Sequence, residues 1–595
     1  MPDWSYHLLF KPILSFFPRN YSREFIHRGM NNIASLPGGH HIINFLGREE
    51  SSRLLHKEIQ GISYSNSIGL SGKIDPLLSG SRAFSNLGFG FMEIGPVTLA
   101  PTLNPSFPVV DSKNEIIVFP ENCESIGLEK TLRKLKKWKS KQPVMIRLAG
   151  SDVEQLELMA ELEMYADAFI SDSYTLTLSQ NITKIPVYFA VPVDQLQEIS
   201  IDSIEKGFSG IVLDEIISKT YFTTLLDTIS FLKKEGYSKP ILTVGGISEP
   251  EDALQLLDAG ADLVMLSGGY VFSGPGLTKR IKEALLFKLQ PRYPLENVWI
   301  WYWLFGLAIF IGGLLATIFG LTTIILPYDE HFLGMKKETI LLFNERILWF
   351  MAHDRMTLAG TMISGGIVYM TLARFGVRYG LLWAKQAIDS AAIVGFLGIF
   401  MFIGYGYFDW LHLVFWLILL PIYGIGLYKT KHIRGTPISR NTKNHAIWKR
   451  SLIGQLAFVI LGFSFVLGGI VISSIGVTNV FVPTDILYIC MPPEMLDSFN
   501  NKLIPVIAHD RAGFGSALLS VGLLVLMISL WAFQQGNKWV WWTLLIGGIP
   551  AFLAGISVHF AIGYTSSIHL LPAYFALSLF ILGLSTTYHF FHMKH

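Results

Sequence analysis

The sequence predicts an α/β barrel of the (β/α)8 type fused to an all-α membrane unit of eight spans with an internal duplication. Three observations carry this. Between about residues 60 and 290 short apolar runs alternate with amphipathic stretches. From residue 298 onward, apolar stretches long enough to cross a bilayer recur. Within that region Gly320 to Trp383 matches Gly476 to Trp539 at a constant offset of 156 residues, without a gap.

Composition agrees. Hydrophobic residues make up 51% of the 595 and charged residues 15%, against about 25% charged in soluble chains, so a membrane protein is expected. A net charge of +2 gives no electrostatic case for nucleic acid. The two cysteines, Cys123 and Cys490, fall in different halves and support neither a disulfide framework nor a thiolate metal site.

Residues 1–50 form the first segment. Tyr6 to Phe17 is apolar but short, is interrupted by Lys11 and Pro12, and has no small-residue cleavage site after it, so it is not read as a signal peptide. Two amphipathic helices are expected, Tyr6–Phe16 and Arg23–Leu36. Leu8, Leu9, Phe10, Ile13, Leu14, Phe16 and Phe17 can lie in a membrane interface or cover a core.

Residues 51–292 are the barrel. Phe91–Ile94, Pro143–Leu148, Ala168–Ile170, Val187–Val191, Gly210–Leu213, Ile241–Val244 and Leu263–Leu266 read as buried strands. Leu128–Trp138, Val153–Tyr165, Asp202–Lys206, Tyr221–Glu235, Pro250–Ala259 and Gly276–Leu286 read as the helices between them. Repeated strand-then-helix units imply a parallel sheet, and their number suits a closed barrel.

Residues 293–435 and 436–595 are two four-span units, with spans near 298–326, 356–373, 388–407, 411–428, 451–474, 512–533, 539–562 and 570–590. The linker 429–450 holds Lys429, Lys431, Arg434, Arg440, Lys443, Lys449 and Arg450. By the positive-inside rule it is cytoplasmic, which puts the barrel and C-terminus inside and the repeated polar motifs outside. Trp299, Trp301, Trp303, Trp539, Trp541 and Trp542 sit at span ends, as interfacial belts do. The repeat extends further: Ile403-Gly404-Tyr405 resembles Ile562-Gly563-Tyr564, and His412 corresponds to His569. Four spans per unit preserve orientation, so the units are expected to be parallel and related by a pseudo-twofold along the membrane normal.

The chemistry-bearing motifs divide the same way. In the barrel, Gly245-Gly246 follows one strand and Ser267-Gly268-Gly269 the next. Glycine lets backbone amides approach a phosphate, and two such turns on the last strands make a barrel's usual phosphate cradle. In the membrane half, Ala352-His353-Asp354-Arg355 recurs as Ala508-His509-Asp510-Arg511. Charge at a membrane helix end marks a functional site unless paired. One reading is a clamp in which Asp354 and Arg355 pair with each other or across to Asp510 and Arg511. The other groups His353, His412, His509 and His569 with Asp329 and Asp485 as a proton relay, metal site or head-group pocket. None of the histidine pairs has H-x3-H spacing, so no metal site is expected. Gly365, Gly366 and Gly522 are read as helix-packing positions.

Residues Tyr6 to Leu289 resemble the quinone-linked, membrane-associated dihydroorotate dehydrogenases. The resemblance is carried by Asn66-Ser67-Ile68-Gly69-Leu70, by the run Leu87 to Thr98, by Gly245-Gly246, by Ala259-Gly260-Ala261-Asp262 and by Gly274-Pro275-Gly276. It implies a TIM-type FMN barrel whose N-terminal helices form a membrane-docking quinone entrance. It further implies that Lys73, Thr98, Gly245, Gly246, Ser267, Gly268 and Gly269 hold the FMN, with Thr175 standing in for the catalytic base. The reacting end departs from the family. Pro76 stands in the family lysine's place, Pro96 replaces a Thr, Arg147 and Ala190 fall where flavin-contacting Asn and Lys are expected, and Phe119 to Ser125 and Asp172 to Thr177 lack the substrate amides.

Proton removal from dihydroorotate needs a base, and the ring needs donors that hold it. Two functions therefore stand open. One is a membrane-bound FMN-dependent oxidoreductase passing electrons to quinone. The other is a lapsed flavin- or phosphate-binding barrel that regulates a membrane transport or sensing unit. A third reading sends electrons from another flavin reaction to the histidines of the membrane half.

Overall fold

Eight parallel strands close into a barrel: β1 Ile68–Leu70, β2 Phe91–Val97, β3 Val144–Leu148, β4 Ala168–Ser171, β5 Val187–Pro192, β6 Gly210–Asp214, β7 Ile241–Val244 and β8 Leu263–Leu266. Neighbours in sequence pair, and β8 returns to β1 with Val264 opposite Ile68. The computed structural model describes residues 2–47, 51–102, 108–111, 115–120, 124–138, 140–178, 183–216, 218, 220–289, 294–295, 297–402 and 406–593. The chain forms two units, Met1–Pro291 with Ile438–His445, and Arg292–Pro437 with Ala446–His595.

The expected strands are observed within one residue of their bounds, except that Phe91–Ile94 runs three residues further to Val97, because each is a short apolar run buried on both faces. Side chains alternate across each strand. Phe91, Met145, Ala168, Ile170, Tyr188, Val212, Leu242 and Val244 share one core cluster with Tyr64. Met92, Phe189, Ile211, Leu213 and Ile241 join a second cluster with the surrounding helices. Two hairpins absent from the sequence reading are present, Lys57–Ile59 with Ile62–Tyr64 and Val109–Asp111 with Ile116–Val118. The first delivers fully buried Tyr64 to the core it shares with the inward residues.

The N-terminus differs from the expected pair of helices. A helical run from Asp3 to Ser15 is followed by helices Arg19–Ser35 and Gly39–Gly47. Pro12 does not break the run because it falls at the start of a helical segment, where no backbone donor is needed. Tyr6 donates to the Val271 carbonyl at 2.5 Å and Lys11 to the Phe272 carbonyl at 3.1 Å. Leu9, Phe10, Ile13, Phe16 and Phe17 remain exposed.

The eight residues 438–445, drawn from the basic linker, belong to the barrel's unit. Asn444 fixes them: its amide N–H donates to Glu249 Oε2 at 2.9 Å, its side chain donates to the Ser248 carbonyl at 2.7 Å, and Arg280 donates to its Oδ1 at 2.6 Å.

In the second unit eight helices have membrane-spanning length and hydropathy: α1 Ile300–Thr322, α2 Lys337–Phe375, α3 Leu382–Phe402, α4 Trp410–Lys429, α5 Ala446–Val477, α6 Leu503–Trp531, α7 Lys538–Ala561 and α8 Ser567–His592. Helix α2 packs on α1 and α7, and α6 packs on α5 and α3. Close approach is permitted by glycine: a Cβ on Gly366 would lie 2.8 Å from the Gly306 carbonyl oxygen, and one on Gly522 2.8 Å from the Val466 nitrogen. A Cβ on Gly365 would meet only the Val521 side chain.

The second and sixth spans begin earlier than hydropathy suggests. In α2 the charged Lys337 and Glu338, and in α6 the polar run His509 to Arg511 itself, hide the start from an apolar reading. Consequently the His-Asp-Arg motifs are not at helix starts. They lie inside α2 and α6, and all of their side chains are buried except that of Arg355, which is partly exposed. Helix α2 is interrupted at Asn344, which is extended (φ −161°, ψ 107°), as is Asn500 ahead of α6 (φ −159°, ψ 109°).

Candidate functional site

The strand alternation that fills the barrel with apolar side chains also brings Glu93, Arg147 and Asp214 inward, each two residues beyond Phe91, Met145 and Val212 of the inner core. They meet in an ion network. The Arg147 guanidinium donates to Glu93 and, at 2.9 Å, to Asp214. Lys73 bridges Asp214 at 3.0 Å and Glu215 at 3.4 Å. Glu93 also accepts from the Ser71 hydroxyl and the Gly72 amide, both at 2.9 Å. Burial alone would raise the Asp214 carboxyl, but Arg147 and Lys73 beside it bring it down to about 2. Burial leaves Glu215 above the usual carboxylate range despite Lys73. Three carboxylates therefore share two cations, and Lys73, expected to hold the FMN, is engaged within the protein together with Arg147.

At the expected phosphate cradle a carboxylate of the chain lies beside Ser267 and Gly245, and the glycines pack too closely for a side chain. Ser267 donates its hydroxyl to Glu215 at 2.8 Å. A Cβ on Gly245 would lie 2.4 Å from Glu215 Oε2, one on Gly268 2.9 Å from the Ile117 side chain, and one on Gly269 2.2 Å from the Ile247 carbonyl oxygen. Gly246 backs onto Tyr221 at 3.4 Å. The turns are tight, with φ of +75° at Gly245 and +72° at Gly246, but a carboxylate stands where a phosphate dianion would need donors.

Thr98 and Thr175, expected at the flavin and in the base's place, make local hydrogen bonds. Thr98 donates to the Ala100 carbonyl at 2.6 Å. Thr175 is exposed and donates to Asp152, whose carboxyl is held low by hydrogen bonds from Ser173 and Thr175. A low carboxyl is a weak base. Part of the expected substrate loop, Glu121, Asn122 and Cys123, lies outside the described residues.

The membrane unit assembles its polar residues into one clamp and two histidine clusters. Arg355 donates to Asp329 at 2.9 Å, to Asp510 at 2.7 Å and to the Ile324 carbonyl at 2.5 Å. Arg511 donates to Asp485 at 2.5 Å and to the Val480 carbonyl at 2.6 Å, and its Nε stands 3.5 Å from Asp354. Of the two clamp pairings open in the sequence, the exchange between α2 and α6 is therefore the one observed. Tyr407 donates to Asp329 and Tyr564 to Asp485 at 2.7 Å, each tyrosine following a left-handed glycine, Gly406 and Gly563. Tyr407 thus takes the place that the sequence reading gave to Tyr405, which lies with Ile403 and Gly404 outside the described residues.

The four expected histidines divide in two. His353 and His569 gather with His559; His412 and His509 gather with Asp409. Asp329 and Asp485 serve the arginines instead. His559 and Asp409 escaped the sequence reading because neither recurs at the repeat offset. Their signal was available, since an ionisable side chain inside or capping a span is a site candidate by itself. Asp409 caps α4, accepting from the amides of Leu411 at 2.9 Å and His412 at 3.2 Å, and accepts from the His412 Nδ1–H. A cleft of about 370 Å³ with apolar walls from Phe305, Phe319 and Phe396 ends at Tyr328, Arg355 and His412.

Comparison with known proteins finds similarity over the first unit. No family model matches the chain. The dihydroorotate dehydrogenase (quinone) of Chelativorans sp. is 24% identical over 336 residues, covering 47% of this chain and 90% of that one. The N-terminal half matches the quinone-dependent dihydroorotate dehydrogenases. The enzyme of Christiangramia forsetii is 23% identical over 345 residues, 48% of this chain and 99% of its own. That of Shewanella denitrificans is 26% identical over 293 residues, 38% and 85%. The ligand-free enzyme of Eimeria tenella, a solved structure, is 19% identical, covers 42% of this chain and 94% of its own, and superposes with a TM-score of 0.36. The similarity supports an oxidoreductase of that kind.

Proposed function

We propose that the barrel is a lapsed oxidoreductase of the dihydroorotate dehydrogenase kind and that it regulates a duplicated transport or sensing unit in the membrane. One observation carries this reading: the Glu215 carboxylate takes the Ser267 hydroxyl and lies against Gly245, where the relatives' chemistry calls for a flavin phosphate. Like charges in a buried site repel, and no free cation stands at this position among the described residues to offset them. The docked linker supports regulation. It joins the two four-span halves, so a change in the barrel at Ser248, Glu249 or Arg280 acts on the chain between them. In this reading the barrel and C-terminus face the cytoplasm, and the halves are parallel copies about a pseudo-twofold axis. The recurrence of the Arg–Asp–Tyr contacts at matching offsets favours that symmetry.

The test is spectroscopic. The full chain, purified in detergent, is expected to lack flavin absorbance and to be unchanged by anaerobic dihydroorotate. A flavin band that bleaches on that addition would overturn the reading. It would favour the second one, a membrane-bound flavin oxidoreductase that passes electrons to quinone, to which the match over nine tenths of a relative's length lends weight. A reporter fused after His595 tests the topology, with an external signal as the contrary result.

A further inference from the structure

We propose that His353, His559 and His569 hold a divalent transition-metal ion inside the membrane unit. The site is independent of what the barrel binds, and it rests on the protons of the imidazoles. His353 Nδ1 stands 2.9 Å from Asp354 Oδ1, and His559 Nδ1 contacts the Gly555 carbonyl oxygen. A carboxylate and a carbonyl only accept, so each Nδ1 is the protonated nitrogen. A neutral imidazole then has a bare lone pair at Nε2. The two Nε2 atoms face each other at 2.9 Å. Two lone pairs at that distance repel unless a cation lies between them.

Geometry and charge fit a metal ion. Two nitrogens bound tetrahedrally at about 2.0–2.1 Å stand about 3.3 Å apart, a few tenths more than observed. A third ligand is at hand, because one nitrogen of His569 lies within 4.8 Å of the other two ligand atoms. The ring of His569 is stacked on Tyr564 with centroids 4.1 Å apart, which fixes its plane. Asp354 behind His353 is the carboxylate that orients a metal-bound imidazole, and its Oδ2 is buried without a hydrogen bond. Around the cluster Asp354 and Asp485 face one guanidinium, Arg511, so the surroundings carry an excess negative charge. Nitrogen ligands select zinc, cobalt, copper or iron over magnesium or calcium, which take oxygen. Three imidazoles leave a fourth position open for a small ligand.

The opposite cluster does not make the same demand. There the His412 Nδ1–H donates to Asp409 Oδ2, and His509 Nε2 stands 3.5 Å from the same oxygen. These groups are satisfied as a hydrogen-bonded relay. Ligand spacing along the chain does not bear on this site, because the three histidines come from α2, α7 and α8.

The full chain in detergent, stripped with a chelator and titrated with Co²⁺, is expected to bind one ion with the visible d–d absorption of a four- or five-coordinate site. His559→Asn and His569→Asn should each abolish that band, and His412→Asn should keep it. Loss of the band in the His412 variant alone, or its persistence in both others, overturns the assignment. If the variants do not fold, the unaltered chain loaded with Cu²⁺ decides: electron spin echo modulation from imidazole nitrogen is expected, and its absence refutes the site.

Discussion

The Arg355 guanidinium of α2 donates to the Asp510 carboxylate of α6 at 2.7 Å, and its other arm reaches Asp329 at 2.9 Å. One cation thus ties two membrane helices to the short helix Pro327–Leu333, whose Asp329 also accepts from the Leu326 amide at 2.9 Å. Removing one partner of a buried pair leaves the other uncompensated, at a cost of about 3–5 kcal/mol. Arg355→Met is therefore expected to lower the thermal unfolding temperature in detergent sharply. Arg355→Met with Asp510→Leu should recover part of the loss, because Asp329 keeps the Tyr407 hydroxyl and a backbone amide. A double variant no better than the single one would show that the carboxylates are not the source of the cost.

The barrel network makes a contrasting prediction. Arg147 is buried between Glu93 and Asp214, so Arg147→Met leaves Glu93 without a cation and Asp214 with Lys73 alone, and a loss of about 3 kcal/mol is expected in urea denaturation of the full chain. Glu215→Gln removes a charge that burial already disfavours and keeps an acceptor for Ser267. Its effect should stay within about 1 kcal/mol. If Glu215→Gln instead gave the chain a flavin chromophore on adding FMN, the carboxylate would be the barrier to the cofactor.

Much of the barrel was legible because its strands are short apolar runs, which declare themselves without any knowledge of pairing. The hairpin that carries Tyr64 to the core was not, since Lys57 to Tyr64 mixes polar and apolar residues and its burial depends on the closed barrel. The arginine clamp could be read from the repeat, because both partners recur at one offset. The histidine clusters could not. His559 has no repeat counterpart, and whether His353 meets His559 or His509 depends on the packing of α2 against α7. The proposed loss of the flavin seat was half visible: the missing family residues showed in the sequence, but the carboxylate beside Ser267 and Gly245 did not.

Acid should weaken the barrel in a defined window. Asp214 has a folded pKa of about 2, below the unfolded value of about 3.9. Its contribution, on the order of 2 kcal/mol, is present above pH 4 and lost as pH falls from about 4 to about 2. Asp75 acts in the same direction. Burial would raise it, but bonds from His27 and the amides of Gly80 and Ser79 hold it low. Glu215 runs the other way: its raised carboxyl binds a proton more tightly in the folded state, so it adds stability as pH falls through its own range. Urea midpoints of the full chain between pH 6 and pH 3 should decline, and Asp214→Asn should flatten the decline. An unchanged slope in that variant would remove Asp214 from the account.

The linker offers the last test, because Asn444 makes its hold on the barrel dependent on one side chain. That side chain donates to the Ser248 carbonyl at 2.7 Å and to Ser273 at 3.1 Å and accepts from Arg280 at 2.6 Å. Asn444→Ala leaves these part-buried partners without it, at about 1–3 kcal/mol. The backbone bonds remain, with Glu251 donating to the Thr442 carbonyl at 3.0 Å and Ser439 to the Glu283 carbonyl at 3.2 Å, so the segment should open locally while the barrel stays folded. When reclosing is fast, cleavage follows the open population, and about 1.4 kcal/mol is a factor of ten in that population. Trypsin should therefore cut after the exposed Arg440 and Lys443 about tenfold faster or more in the variant, with the urea midpoint of the barrel little changed. Equal cleavage rates would mean that the backbone bonds alone hold the linker and that Asn444 does not couple it to the barrel.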